Sequence, residues 1–326
     1  MGGASGALAV YRMMGALVPA LWAPVAAAHD AGTRALAQSA PPHVESEAGA
    51  AIIVVALAVS AVLYAIGIVR LWRAAAPGRG VRIREVGCFA AGWGVVAIAL
   101  LGPIETWASR SFAAHMAQHE LLMLAAAPVL VLGRPLAVWT WALPRKARNR
   151  ARRIVATHAW RRVWRAATRP LGATLLQAIA LLAWHVPAAF DRAAAHAGLH
   201  ALQHATFLAT ALCFWWALRV PAQRAAGGGA VGIVCLFLTM MATGALGALL
   251  TFAPVAWYHA YAGSALPWAA SALEDQQVGG LVMWIPGGTV YVVGALVIAR
   301  GLLARRAEVA VARPRTIAGL EAAGLR

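Results

Sequence analysis

Three cysteines, Cys88, Cys213 and Cys235, are all that 326 residues contain, and no two are spaced as Cys-x-x-Cys. That shortage excludes a disulfide framework and a thiolate metal cage. Cys213 and Cys235 fall inside apolar runs, and all three are read as packing residues. Acidic residues are scarce too, 11 against 28 basic, and charged residues together make up 12% of the chain. An ordinary soluble domain carries about twice that fraction, roughly 25%, so a soluble globular class does not fit. The triple glycine Gly227-Gly228-Gly229 has no following Lys-Ser/Thr and no preceding strand, which excludes a phosphate cradle. The basic excess comes without base-reading or stacking features, so no nucleic-acid partner is expected. No solenoid repeat is visible.

What the chain does have is apolar length. Hydrophobic residues make up 62%, and they gather in windows of about 20, the length that spans a bilayer. Residues 1 to 37 hold Arg12, an apolar run from Met13 to Ala28 and small-residue cleavage sites at Ala26-Ala27-Ala28 and Ala35-Leu36-Ala37, which reads as a secretory signal peptide, or a signal anchor if uncleaved. Residues 38 to 47, with Pro41-Pro42, form a polar outer linker. Seven apolar runs follow, at about 48–69, 85–103, 112–133, 171–187, 198–218, 230–251 and 276–299. The expected fold is therefore all-α, a polytopic membrane bundle of seven transmembrane helices over residues 48–300, with a cytoplasmic tail at 301–326.

Alternate loops differ sharply in charge. Those after the first, third, fifth and seventh runs hold 24 of the 28 basic residues, whereas the intervening loops hold only Arg34, Arg110 and Arg192. Positive charge marks the cytoplasmic side, so the mature N-terminus is expected outside and the C-terminus inside. A cleaved signal peptide predicts the same orientation. Within the third loop, residues 144–170 mix arginines with Ile154, Val155, Trp160, Val163 and Trp164, as an amphipathic helix on anionic lipid does.

Orientation turns the histidines into a pattern of depth. His115-Met116-Ala117-Gln118-His119 opens the third run from outside, and His200-Ala201-Leu202-Gln203-His204 opens the fifth. His-x-x-x-His on a helix places both imidazoles on one face, one turn apart, which is a metal-clamp spacing. His185 ends the fourth run at the same outer depth, and Asp275 opens the seventh. Ionisable groups in a span cost roughly 2.5–3.5 kcal/mol on insertion scales and face the bundle interior, where they pair with one another. These six residues are the expected metal ligands. Glu120 adds an acid at similar depth but points about 100° away from His119, so its expected place is beside the ligands. His29, His43, His158 and His196 are read as interfacial. Neutral imidazole suits Cu, Zn and Fe, while thioether sulfur favours Cu(I), which brings in Met116, Met123 and Met283 as further candidates.

Four motifs in order then resemble a known family. His115-Met-x-Gln-His119 with the following Pro128-x-Leu-x-x-Gly133-x-Pro135, Trp184-His185-x-Pro187, His200-x-x-x-His204, and Asp275-Gln276-Gln277-x-Gly279-Gly280-x-x-Met283-Trp284 together look like the CtaG-type cytochrome c oxidase assembly factor family, over roughly Ala48 to Arg300. The resemblance implies a multi-pass protein of the bacterial cytoplasmic membrane that assists copper delivery to, or assembly of, a haem-copper oxidase. Its implied partners are oxidase subunits and periplasmic copper chaperones. The family's histidines fall on His115, His119, His185, His200 and His204, and its acid on Asp275. Glu120 departs from a position that is usually apolar there. An unrelated single-span copper chaperone shares the family's name but bears cysteines, and no cysteine pair is present here.

The residues themselves leave two other chemistries open. A membrane-embedded zinc hydrolase would hold Zn on three histidines and activate water with Glu120 or Asp275. Opposed histidines could instead ligate haem b.

Overall fold

A computed structural model of the chain describes residues 47–219, 228–262 and 271–322. The expected signal peptide, most of the outer linker, His29 and His43 lie outside the described residues. Among those described, every regular element is helical. In order they are α1 (Glu47–Ala75), α2 (Ile83–Leu101), α3 (Pro103–Ala108), α4 (Phe112–Glu120), a π-helical turn (Leu121–Ala126), α5 (Ala127–Leu132), α6 (Pro135–Ala142), α7 (Arg145–Ala156), α8 (His158–Thr168), α9 (Pro170–Trp184), α10 (Pro187–Ala195), α11 (Ala197–Arg219), α12 (Gly228–Thr251) and α13 (Ala272–Ala322).

Six helices are long and apolar enough to cross a membrane: Ala50–Ala75, Ile83–Ala108, Phe112–Leu132, Ala197–Arg219, Gly228–Thr251 and Ala272–Ala304. They match six of the seven expected runs. The remaining run, 171–187, forms α9 of 15 residues. At 1.5 Å per residue that is about 22 Å, short of the roughly 30 Å hydrocarbon core. Joined to α8 across a 74° bend, it makes a seventh candidate crossing. Pro170 causes the bend: the residue before a proline is pushed out of the helical region, and Arg169 sits at φ −73°, ψ 140°.

The third crossing is not a regular helix. Between α4 and α5 it widens into the π turn, directly ahead of Pro128, which has no N–H to give to the preceding turn and clashes with it. A loosened carbonyl there finds another donor, since the Trp215 indole N–H donates to the Met123 carbonyl at 2.9 Å. Such turns are rare in helices and recur at functional sites.

The basic segment 144–170 is two helices rather than one. Thr157 ends α7 and caps α8, accepting from the Trp160 amide at 3.3 Å. Neither helix has a buried residue, and Ile154, Val155, Trp160 and Val163 are exposed. Trp164 meets Trp216 of α11, ring centroids 6.2 Å apart, which ties the segment to a crossing.

The two ends of the bundle differ in chemistry. At one end the arginines collect: Arg134 and Arg219 both lie 3.8 Å from Glu85, Arg70 donates to the Ala142 carbonyl, and Tyr64 donates to the Gly133 carbonyl at 2.8 Å. At the other end lie His115, His119, His185, His200 and His204. Between them run two apolar cores, one joining α1, α2, the π turn, α5 and α6, the other joining α4, α9, α11, α12 and α13.

The tightest seam is α12 against α13, where small residues let two backbones meet. A Cβ on Gly280 would lie 2.5 Å from the Gly247 carbonyl oxygen and from the Thr251 hydroxyl. Because the atoms in the way are backbone, Gly280→Leu should cost more than the 1–3 kcal/mol typical of overpacking, read as a lowered melting temperature in detergent, whereas Gly288→Ala, which meets nothing within 4 Å, should melt like wild type.

Candidate metal centre

The centre is built on the first turn of α4. A helix beginning inside a bundle presents amides that have no partner within the helix and no water. Here Ser111 caps it, its hydroxyl accepting from the Ala114 amide at 3.1 Å. The Asp275 carboxylate, from the start of α13, completes the cap: it accepts from the Ser111 hydroxyl at 2.7 Å, the Phe112 amide at 2.5 Å and the Ala113 amide at 3.3 Å. Asp275 is 1% exposed. With the helix start pinned, His115 and His119 fall on successive turns of one face, rings 4.3 Å apart.

The second His-x-x-x-His, on α11, faces the first. His200 and His204 rings are 4.3 Å apart, and those of His115 lie 5.1 and 5.7 Å from them. One ligand nitrogen from each of His115, His200 and His204 lies within 4.8 Å of the others. Two imidazole nitrogens on one ion at about 2.0 Å keep roughly 3.3–4 Å between them, so the trio has the size of an ion site that draws in slightly on loading. His119 adjoins it, 5.2 Å from the His204 ring and 6.1 Å from that of His185. His115, His119, His185 and His204 are each 4% exposed or less. Both ring nitrogens of His119 and Nε2 of His204 are buried without a hydrogen bond, which is costly unless something else takes the free lone pairs.

Outer groups fix which nitrogen is offered. The Tyr261 hydroxyl donates its one hydrogen to the Ala108 carbonyl at 2.8 Å, so in its 2.9 Å contact with His115 Nδ1 it must accept. Nδ1 therefore carries the proton and Nε2 the lone pair. Burial, with Glu105 and Asp275 nearby, pushes the Tyr261 phenol well above its ordinary range, so it stays a neutral O–H. His185 is set the same way, Nδ1 donating to the Leu181 carbonyl at 2.8 Å. Tyr258 holds its backbone, donating to the His185 carbonyl at 3.0 Å, and stacks on Phe112 at 4.8 Å. Asp191 of α10 ties the loop carrying both tyrosines in place through the Ala260 amide at 3.1 Å and His259 Nδ1 at 3.2 Å.

The structure thus brings together His115, His119, His200 and His204, with His185 and Met116 on the flank. Asp275 stands at the helix cap, with both oxygens taken. Glu120 faces α13, where a Cβ on Gly287 would come within 2.9 Å of its Oε2. Met283 and Met123 pack in the larger core. Tyr258 and Tyr261, unmarked by the spacing argument, carry the surrounding support; the run Trp257-Tyr258-His259 in the loop between the last two crossings was the available signal.

A bundle of membrane-crossing helices with a buried histidine cluster at one end defines a class, the polytopic membrane proteins with an intramembrane polar centre. A family model for the cytochrome c oxidase caa3 assembly factor (Caa3_CtaG) matches residues 62–305. The chain belongs to that family, as its motifs indicated. No curated protein and no solved structure matches it.

Asp275→Ala should expose three donors at a buried helix start and destabilise by about 1–3 kcal/mol, measured by melting in detergent. Asp275→Asn, which keeps one acceptor oxygen, should recover part of the loss and leave the histidine centre's metal load unchanged; lost metal with unchanged melting would mark Asp275 as a ligand instead.

Proposed function

We propose that this assembly factor binds copper as its cargo at the His115/His200/His204 trio and passes it to subunits of the oxidase it helps assemble. The observation that carries this reading is the convergence of three histidines from two crossings within 4.8 Å, beside a fourth, His119, whose ring nitrogens are both unpartnered. Imidazole with nearby thioether favours copper, and Cu(I) in particular. The arginine-rich end faces the cytoplasm by the charge rule, which puts the centre at the outer face, where periplasmic copper chaperones and the copper-bearing parts of an oxidase would meet it. The exposed apolar and basic side chains of α7 and α8 rest on lipid.

The role is delivery and not catalysis. A zinc hydrolase on the same trio would need a carboxylate free to activate water beside the ion, yet the Asp275 oxygens are committed to the α4 cap and Glu120 faces Gly287. Transfer by ligand exchange asks for several moderate neutral ligands, and that is what four imidazoles offer.

The doubly substituted His115→Ala/His204→Ala protein should lose Cu(I) affinity by more than about 100-fold in competition with a chelator, and cells carrying it in place of the wild type should assemble copper-poor oxidase. Unchanged copper binding together with full oxidase activity would overturn the reading.

A further inference from the structure

We propose that the centre has a second Cu(I) station, made by His185 Nε2 and the thioether of Met116, and that His119 links it to the histidine trio. This inference rests on the copper reading above. It begins from a contact that hydrogen bonding does not explain. His185 Nε2 lies 3.4 Å from Met116 Sδ, and its Nδ1 donates to the Leu181 carbonyl at 2.8 Å. In the neutral ring Nε2 then carries a lone pair, and a thioether has only lone pairs to offer. Two electron-pair donors meet with no proton between them.

The other protonation states fail on the surroundings. The opposite tautomer would set the bare Nδ1 against the Leu181 carbonyl oxygen, acceptor to acceptor at 2.8 Å. An imidazolium would satisfy both contacts, but among the described residues no carboxylate pairs with His185, and an unpaired charge at this depth is expensive. A soft cation between nitrogen and sulfur satisfies both at once. The size fits: an ion about 2.0 Å from nitrogen and about 2.3 Å from sulfur subtends an angle near 105° across a 3.4 Å gap. That angle suits a three- or four-coordinate site with His119 as a further ligand. Both donors are fixed, Met116 being 0% and His185 3% exposed, and the Phe190 and Phe207 rings wall the imidazole at 6.2 and 6.0 Å.

His119 is the element that makes one path of two stations. Its ring stands 4.3 Å from that of His115 and 6.1 Å from that of His185, and neither nitrogen is engaged elsewhere. Movement between stations exchanges one neutral ligand for another, so Cu(I) keeps its charge, no proton is released and no electron is needed. Thioether sulfur in one station makes the path selective for Cu(I) over Zn(II).

X-ray absorption at the copper edge of full-length protein saturated with Cu(I) tests this. Wild type should show nitrogen scatterers plus a sulfur at about 2.3 Å. Met116→Leu, a volume-conserving change, and His185→Gln should each lose the sulfur while keeping nitrogen-bound copper. Nitrogen-only scattering in the wild type, or a sulfur that survives Met116→Leu, would overturn the second station while leaving the trio standing; complete copper loss in a Met116→Leu protein that melts normally would overturn the trio as an independent site as well. Failure of wild type to bind Cu(I) at all would overturn both readings.

Discussion

The constraint on which the centre depends is the buried start of α4. Amides that begin a helix inside a membrane bundle have no water to turn to, and leaving them bare is costly. Ser111 and Asp275 satisfy three of them. The partner comes from 164 residues further along the chain, so the cap does more than finish a helix. It pins the first turn of α13 to the first turn of α4 and so sets the height and rotation at which His115, Met116 and His119 face α11 and His185. A substitution that removes the cap altogether, such as Asp275→Ala, would be felt at the histidines without any contact between them.

Around that fixed start, two kinds of support divide the labour. Small residues bring backbones close, most of all at Gly247 and Gly280. Hydrogen bonds from Tyr261 and to Leu181 choose which imidazole nitrogen carries a proton. The result is a pocket of neutral soft and borderline donors under a loop held by Asp191, at the end of the bundle opposite the arginines. Neutral ligands would suit the proposed delivery, because nothing but geometry and ligand count would hold the ion.

Much of this was legible in the sequence, for reasons that differ by residue. The crossings were visible because the bilayer demands apolar length, and the opposed ends because arginine avoids translocation. The two His-x-x-x-His pairs were visible because helical spacing is local and their depth follows from topology. Asp275 was legible as an acid opening the last crossing, but its contact with the α4 amides is a tertiary fact that no spacing encodes. The bend at Pro170 and the π turn ahead of Pro128 had local signals in those prolines; a continuous apolar run outweighs them when hydropathy is read alone. Thr157, a good cap residue between two amphipathic stretches, marked the split of the basic segment. The support from Tyr258 and Tyr261 had the weakest trace, because a loop residue reaches its partner by a path that periodicity does not describe.

The central claim is that the three histidine nitrogens gathered at the end of this bundle hold copper. The most direct test is an experimental structure of the full chain loaded with Cu(I), or with Ag(I) as its stand-in, and mapped by anomalous scattering. The account predicts a peak bounded by His115, His200 and His204. A metal peak elsewhere in the molecule, with that trio empty at saturating metal, would contradict it.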